Sequence, residues 1–144
     1  MVGDAGDHLR YAGINQAFRL LKAGAPLLAL GRNRYFKETD GLSMDAGPFV
    51  AALEYAAGVS AELLGKPAPA LFAAALRPLG CIPAQAVMIG DDVEADVNGA
   101  LAAGLGGILV RTGKFRPGDE MRLAAGGTVV DHIGAAVASL RLPG

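Results

Sequence analysis

Three carboxylates follow a short apolar run in the second half of the chain. Residues 86–89 are apolar, Gly90 interrupts the run, Asp91 and Asp92 come next, and Asp96 follows one helical turn later. Adjacent acids at the end of a buried strand are costly unless a positive group compensates for them. In an open α/β sheet, ligands bind at the carboxyl ends of the strands. The spacing therefore predicts half of a phosphate-handling metal site, with Mg²⁺ as the cation because it prefers oxygen ligands and leaves positions for phosphate and water.

A structural explanation of the same residues stays open at this point. Asp92 could serve only as the N-cap of the helix that is predicted to begin near Val93. Asp96 could be a solvated residue on that helix. Because Gly-Asp-Asp is a short motif, its spacing alone does not choose between the two readings, and other parts of the chain have to be considered.

A lysine is predicted to lie at the same edge of the sheet as the acids. Lys66 follows an apolar stretch at residues 61–64 and precedes Pro67, which disfavours a helical conformation at Lys66. A lysine at a strand end can pair with a phosphate and can keep neighbouring carboxylates ionised. The alternative is a solvated lysine in a turn. Thr112-Gly113-Lys114 follows another predicted strand and could meet the same site, with a plain turn as its alternative.

Composition excludes several classes of function. The chain has 144 residues, a net charge of −1 and 52% hydrophobic residues, which is enough for a real core. Without a basic run we expect no nucleic-acid partner. No apolar stretch approaches the roughly 18–20 residues of a membrane span, and the N-terminus lacks the pattern of a signal peptide, so we expect no membrane partner. A single cysteine fits a reducing compartment, and we expect a cytoplasmic protein.

Helices and strands are predicted to alternate along the chain, which is typical of an open α/β fold with a parallel sheet. A modest shift in composition near residues 58–62 suggests two parts, residues 1–60 and 61–144. The polar segment 32–45 is predicted to be a loop that holds a hairpin turn at Asp40-Gly41. Periodicity and breakers predict helices at residues 8–22, 47–57, 70–79, 93–103 and 131–140, and strands at residues 26–30, 61–64, 86–89, 107–110 and 128–130.

The combined motifs resemble the haloacid dehalogenase (HAD) superfamily. Gly65-Lys66-Pro67-Ala68-Pro69, followed by residues 87–96, is similar to its third and fourth motifs, and Arg111-Thr112-Gly113-Lys114 is similar to the segment that follows them. Residues 30–42 and 47–56 are similar to one subgroup of its phosphatases. The resemblance implies a partial HAD-like (Rossmannoid) three-layer core with a parallel sheet in residues 61–144. It also implies that residues 1–60 are the later part of an α/β cap of the C2 type.

Roles for individual residues follow from this resemblance. It implies that Asp91 is a Mg²⁺ ligand and that Lys66 contacts the transferring phosphoryl group. It also implies that Asp92 and Asp96 take part in catalysis by orienting the ligands and waters of the metal. Arg32 and Asn33 would bind substrate, for which an arginine suits an anionic group. The alternative for this last pair is an exposed basic turn.

The chain departs from the family at one motif. These enzymes begin with a strand that ends in Asp-x-Asp, whose first Asp attacks phosphorus, and the 144 residues contain no Asp-x-Asp. The earliest candidate, Asp4-Ala5-Gly6-Asp7, has the wrong spacing. Covalent phosphoryl catalysis needs that nucleophile. We therefore expect an incomplete chain that is inactive alone.

The expected function is that of a Mg²⁺-dependent phosphatase. Its substrates would be small phosphorylated compounds, with pyrophosphate or P–N bonds suggested by the subgroup, and the reaction would pass through an aspartyl-phosphate. The expected protein partner is the missing N-terminal half or a second copy of the chain. The competing hypothesis is a catalytically inactive module that binds phosphate and metal or another protein.

Overall fold

The computed structural model describes residues 1–4 and 6–140, which fall into two compact units. The first unit runs from Met1 to Gly65 and the second begins at Lys66. The predicted boundary between residues 60 and 61 therefore precedes the structural one, because residues 62–63 pair with a strand of the first unit. Their assignment as cap and core stays a prediction. Ala5 of the Asp4-Ala5-Gly6-Asp7 candidate and the last four residues of the predicted core lie outside the described residues.

Within residues 1–4 and 6–65, unit 1 contains two α-helices and two small sheets. Parallel strands β1 and β4 pair Leu28 with Glu62 and Ala29 with Leu63. Strands β2 and β3 form the antiparallel hairpin predicted around Asp40-Gly41. Their bounds, in chain order, are α1 Tyr11–Lys22, β1 Leu28–Ala29, β2 Tyr35–Lys37, β3 Leu42–Met44, α2 Ala46–Ala57 and β4 Glu62–Leu63.

The first helix begins later than the periodicity predicts. A 3₁₀ turn at Gly6–His8 precedes it, and Arg10 is extended with φ −96° and ψ 157°, so α1 starts only at Tyr11. The helix ends as predicted before Gly24, whose φ of +95° is unfavourable for other residues. Buried residues from α1, β1 and α2, together with Val2 and Leu27, form one core made of Val2, Leu21, Leu27, Ala29, Val50, Leu53 and Ala57.

Unit 2 is built on a three-stranded parallel sheet in the order β5-β6-β7. Short 3₁₀ segments lie at Pro83–Gln85 and Asp119–Arg122. The remaining elements, in chain order, are α3 Pro69–Leu79, β5 Val87–Gly90, a π-helical segment Val93–Asn98, α4 Gly99–Ala102, β6 Gly106–Val110, β7 Thr128–Val130 and α5 Ile133–Ser139.

The central strand β6 is covered on both faces. Leu109 packs with Val93 and Val97 of the π-helical segment. Ile108 and Val110 belong to a separate cluster with Ala136 of α5. Since neighbouring side chains of a strand point to opposite faces, helices lie on both sides of the sheet. The unit therefore has the parallel α/β sheet that the sequence pattern predicts and the three-layer arrangement that the resemblance implies.

A helix forms where one is predicted at residues 93–103, but the prediction of regular α-helix is wrong for its first part. Its first six residues are π-helical, and regular α-helix covers only Gly99–Ala102. The turn is wide because the carbonyl of Asp92 accepts from both Asp96 N–H at 3.0 Å and Val97 N–H at 3.3 Å. Single π turns inside helices often occur at functional sites.

Helix length and polarity bear on the membrane expectation. Across residues 1–4 and 6–140, no helix combines the length and the apolar character that a bilayer crossing requires.

Candidate functional site

The three carboxylates of the predicted site meet at the carboxyl end of β5. The strand ends at Gly90, Asp91 and Asp92 follow directly, and Asp96 lies on the first turn of the π-helical segment. Asp91 and Asp92 are half-buried, whereas Asp96 is 4% exposed. A parallel strand flanked by helices places its carboxyl end where ligands bind in such sheets. The three carboxylates therefore lie at the strand end where the sequence predicts them, and their role as a site stays a prediction.

Asp92 is the N-cap of the π-helical segment and also forms an ion pair. Its Oδ1 accepts hydrogen bonds from Glu94 N–H at 3.2 Å and Ala95 N–H at 3.0 Å. Its Oδ2 lies 2.9 Å from the ammonium of Lys114. Burial acts to raise the pKa of the Asp92 carboxyl, but the Ala95 hydrogen bond and Lys114 outweigh burial and hold that pKa below its ordinary value of 3.8. The capping interpretation is therefore correct but covers only one of the two oxygens.

Asp96 carries a nearly buried charge that Lys66 compensates. The Oδ1 of Asp96 lies 2.6 Å from Lys66 Nζ, with side-chain exposures of 6% for the aspartate and 41% for the lysine. Within the described residues this oxygen accepts no hydrogen bond of good geometry, so the ammonium offsets it as an ion pair. Oδ2 accepts a long bond from Asp92 N–H at 3.3 Å. The exposed flank of Lys66 leaves its ammonium open to a ligand.

Two glycines allow the chain to come this close together. A Cβ on Gly90 would lie 2.4 Å from Oδ2 of Asp96, and a Cβ on Gly99 would lie 2.5 Å from Cβ of Pro67. Real Cβ atoms do not approach other heavy atoms at such distances. Gly90 thus makes room for the Asp96 carboxylate beside the strand end, and Gly99 lets α4 pack against the segment that carries Lys66.

The turn after β6 closes over Asp91. The backbone N–H of Lys114 donates to Oδ2 of Asp91 at 2.7 Å. Gly113, at φ +59°, passes so close that a Cβ would lie 1.9 Å from the same oxygen. The turn therefore contacts Asp91 through its backbone and Asp92 through a side chain.

The charges of the site are paired unevenly. Lys66 pairs with Asp96 and Lys114 pairs with Asp92. Among the described residues, Asp91 forms no ion pair, and a neutral backbone N–H is its hydrogen-bond donor. The five groups thus carry a net charge of −1, which resides on Asp91.

The donor set fits a hard divalent cation that takes one carboxylate from this chain. Mg²⁺ is usually held by one or two carboxylates, with waters and substrate phosphates in the other positions. Asp91 supplies such a carboxylate at a ligand-binding edge, and no cationic side chain within residues 1–4 and 6–140 forms an ion pair with it. In the described part of the chain, no group of three His, Cys, Asp or Glu side chains is arranged to hold a metal. Further ligands would therefore come from water, phosphate or residues outside this part.

Arg32 and Asn33, the predicted substrate contacts, lie in unit 1 and differ in their surroundings. Arg32 forms an ion pair with Glu54 and is 47% exposed. The carbonyl of Asn33 accepts from Gly47 N–H at 3.0 Å, so its backbone helps to fix the start of α2. Asn33 does not line the neighbouring cavity of about 500 Å³, which is lined by Arg32, Arg34, Tyr35, Met44, Gly47, Pro48, Ala51 and Glu54.

Lys114 is the site residue that sequence reasoning underrated. Its position after a strand suggested a contact with the site, but a plain turn explained the same residues. The signal that could have separated them is charge balance, because three acids and only one lysine were assigned to the strand end. A second lysine at the end of the neighbouring strand β6 was the available cation.

Curated proteins that are similar to this chain have two different names. The chain is 52% identical over 123 residues to haloacid dehalogenase-like hydrolase domain-containing protein 2 of Bos taurus, covering 85% of this chain and 48% of that protein. It is 50% identical over 122 residues to phospholysine phosphohistidine inorganic pyrophosphate phosphatase of Homo sapiens, covering 83% and 45%. The chain thus spans about half the length of the curated relatives it matches.

A solved structure and a family profile agree with these relatives. The chain is similar to glycerol phosphate phosphatase from Mycobacterium tuberculosis in complex with magnesium, with a TM-score of 0.65, 33% identity, and coverage of 72% of this chain and 31% of that one. The HAD-hydrolase-like family profile matches residues 63–136, which is just over half of the chain and includes Lys66, the three carboxylates and Lys114. The chain belongs to the HAD-hydrolase-like family.

Proposed function

We propose that this chain carries the metal-binding and phosphate-contacting part of a Mg²⁺-dependent phosphatase that acts on small phosphorylated compounds. The observation that carries the proposal is the charge arrangement at the end of β5. Among the residues that the structure describes, two of the three carboxylates have a lysine each, and Asp91 has none. A site that leaves one carboxylate uncompensated and one ammonium open to solvent suits a cation and a phosphate together.

Each residue of the site has a distinct task in this proposal. Asp91 holds Mg²⁺, which when bound neutralises charge on the phosphoryl oxygens. Lys66 contacts the transferring phosphoryl group through its exposed flank. Asp96 holds the Lys66 ammonium in place, because its nearly buried Oδ1 lies 2.6 Å from Lys66 Nζ. Asp92 fixes the start of the π-helical segment and thereby the position of Asp96.

The attacking group is proposed to lie outside these 144 residues. An aspartyl-phosphate route needs a carboxylate that attacks phosphorus, and the sequence contains no Asp-x-Asp. Lys66 and the cation bound at Asp91 would neutralise the charge that develops during the attack. The relatives, which are about twice as long, support a second portion that provides the nucleophile. The proposed protein partner is that portion or a second copy of the chain, and analytical ultracentrifugation of the purified chain distinguishes monomer from dimer.

The substrate class is proposed to be small and anionic. One relative is named for pyrophosphate, phospholysine and phosphohistidine, and a structural neighbour is named for glycerol phosphate. Hydrolysis of pyrophosphate or of P–N bonds is therefore a specific form of the proposal. Arg32, half-exposed beside a cavity, could exchange Glu54 for an anionic substrate group. The cytoplasm is the proposed compartment, since the single cysteine fits a reducing environment.

A chimera tests this function. The chain replaces the matched half of the Bos taurus relative, and hydrolysis of p-nitrophenyl phosphate and pyrophosphate is measured with and without Mg²⁺. We expect Mg²⁺-dependent turnover that falls at least about 10²-fold in Asp91→Asn and Lys66→Ala, because each removes charge stabilisation of the transition state. Arg122→Met, which removes an exposed ion pair with Glu94 in the same unit, serves as the matched control. Near-normal turnover in both site variants would contradict the proposal.

The lack of Asp-x-Asp favours one competing function, a module that binds phosphate and metal without turnover. The purified 144-residue chain distinguishes the two when it is compared with the chimera. One set of results favours the inactive module. In that case the chain binds Mg²⁺ and inorganic phosphate and the intact relative is active, but the chimera has no activity. If the isolated chain itself turns over substrate in an Asp91-dependent manner, the nucleophile lies within these residues and the proposed division of labour is wrong.

A further inference from the structure

Asp91 and Asp92 are adjacent, and either carboxylate could in principle take a cation. The surroundings of their oxygens differ, however. Both oxygens of Asp92 are engaged, Oδ1 by two backbone N–H groups and Oδ2 by the Lys114 ammonium. Asp91 uses only Oδ2, which accepts from Lys114 N–H. Within the described residues, nothing donates to its Oδ1.

One turn produces both arrangements. Gly113 brings the backbone against Asp91, since any Cβ would overlap Oδ2 at 1.9 Å. The next residue, Lys114, donates its N–H to Asp91 and extends its ammonium to Asp92 at 2.9 Å. The Lys114 and Asp92 side chains are each 22% exposed, so this pair is better shielded from water than the Arg122–Glu94 pair at 56% and 55%. Less exposure means less solvent screening of the pair.

We propose that the Gly113–Lys114 turn divides the two carboxylates between two cations, leaving Asp91 for Mg²⁺ and holding Asp92 on the Lys114 ammonium. This inference rests on the proposed function, because it assumes that Mg²⁺ binds at Asp91. Gly113 and Lys114 act as positioning residues. The Lys114 N–H holds Oδ2 of Asp91 and leaves Oδ1 for the cation, and the ammonium prevents Asp92 from becoming a second ligand.

The proposal predicts that Lys114→Met raises the affinity for Mg²⁺. The substitution keeps the backbone N–H and the chain length, but it removes a positive charge from the site and frees Oδ2 of Asp92. Mg²⁺ affinity of the 144-residue chain, measured by isothermal titration calorimetry, should rise by about three- to tenfold, as expected for losing one nearby like charge. Unchanged or weaker affinity would contradict the proposed role of Lys114. Lys114→Arg, which restores the charge, should return affinity to the original value.

Two further variants show where the gain comes from. In the double variant Lys114→Met, Asp92→Asn the gain should vanish, because Asp92 can no longer act as a second charged ligand. Arg122→Met removes an exposed positive charge of the same unit whose ion pairs are with Glu94 and Asp119, not with Asp91 or Asp92, and it should change Mg²⁺ affinity by less than about twofold. An NMR titration adds an independent readout, since the Lys114 amide should shift on Mg²⁺ addition while the Arg122 amide does not.

Gly80 provides a matched control for Gly113 in the same unit. Gly113 and Gly80 have similar positive φ values of +59° and +63°, but a Cβ on Gly80 meets nothing within 4 Å. Alanine at either position suffers similar backbone strain. Only Gly113→Ala displaces Asp91, and it should weaken Mg²⁺ binding about tenfold or more, whereas Gly80→Ala should not. Thermal unfolding of both variants verifies that they remain folded.

The possible results separate this inference from the proposed function. If the unsubstituted chain binds no Mg²⁺, or if Asp91→Asn binds it equally well, the proposed function fails and this inference fails with it. If the chain binds Mg²⁺ through Asp91 but Lys114→Met behaves like Arg122→Met or binds more weakly, only the division by the turn is overturned. A Gly113→Ala variant that does not fold leaves the Lys114 series decisive.

Discussion

Each unit of the molecule contains an arginine or lysine paired with an acid where a ligand could bind, but the two pairs differ in burial. Arg32 and Glu54 of unit 1 are 47% and 20% exposed beside an open cavity. Lys66 of unit 2 is about as exposed as Arg32, yet its partner Asp96 is only 6% exposed. A half-exposed pair can exchange its partner for a ligand at little cost, whereas a buried carboxylate holds its lysine in place. The comparison indicates an adaptable binding group in unit 1 and a fixed one in unit 2.

Removing the cation from each pair should have the larger consequence in unit 2. Lys66→Met leaves the nearly buried Asp96 charge without compensation, and we expect the free energy of unfolding to fall by about 2–3 kcal/mol, less than for a fully buried pair because Lys66 is partly solvated. Arg32→Met removes an exposed pair and should cost less than about 1 kcal/mol. Urea unfolding followed by circular dichroism measures both.

A double variant shows whether the buried charge is the cause. In Lys66→Met, Asp96→Asn no charge is left to bury, so much of the stability lost in the single variant should return. If Lys66→Met costs no more than Arg32→Met, the proposed contrast between the two pairs is wrong.

The two units also differ in how much space surrounds the glycine at or just after a strand end. A Cβ on Gly90, at the end of β5, would lie 2.4 Å from Oδ2 of Asp96. A Cβ on Gly31, two residues after β1, would meet no described atom within 4 Å. Gly90→Ala should lower the free energy of unfolding by about 1–3 kcal/mol, since the Asp96 carboxylate has to move. Gly31→Ala should be close to neutral. Equal stability losses in the two variants would mean that Asp96 is not held against the strand end.

Local sequence signals predicted the frame of the fold well. The strands that become β5 and β6 were predicted from short apolar runs and breakers, and the hairpin from the turn residues Asp40-Gly41. Lys66 and the carboxylates were placed together because the ends of parallel strands share one edge. These features depend on a few neighbouring residues, which is why a single sequence reveals them.

Features that depend on contacts between distant residues were missed. The π-helical turn at Val93–Asn98 has ordinary helical periodicity, and its width shows only in the hydrogen bonds of the Asp92 carbonyl. Lys114 contacts acids that are more than twenty residues earlier in the chain. No local pattern distinguishes such a turn from a plain one, so its part in the site emerged only with the tertiary structure.

The smallest expected effect is on the free energy of unfolding at acid pH, and it arises from the Asp92 carboxyl of unit 2. Its pKa in the folded chain is lowered, despite burial, by the Ala95 hydrogen bond and by Lys114. The unfolded chain therefore binds more protons than the folded chain between the ordinary pKa of 3.8 and the lower folded value. The contribution of Asp92 is fully present above the ordinary pKa and is lost as pH falls through the folded pKa.

Asp92→Asn isolates that contribution because the amide oxygen can still accept the two capping hydrogen bonds while the charge is gone. The unsubstituted chain should be the more stable of the two near pH 6, and the difference should shrink as urea unfolding is repeated at pH values below 4. In Lys114→Met the pH-dependent part should be smaller, since one of the groups that lower the Asp92 pKa is absent. A difference that stays constant from pH 6 to pH 3 would contradict this prediction, because it would show that the charge of Asp92 is not what stabilises unit 2.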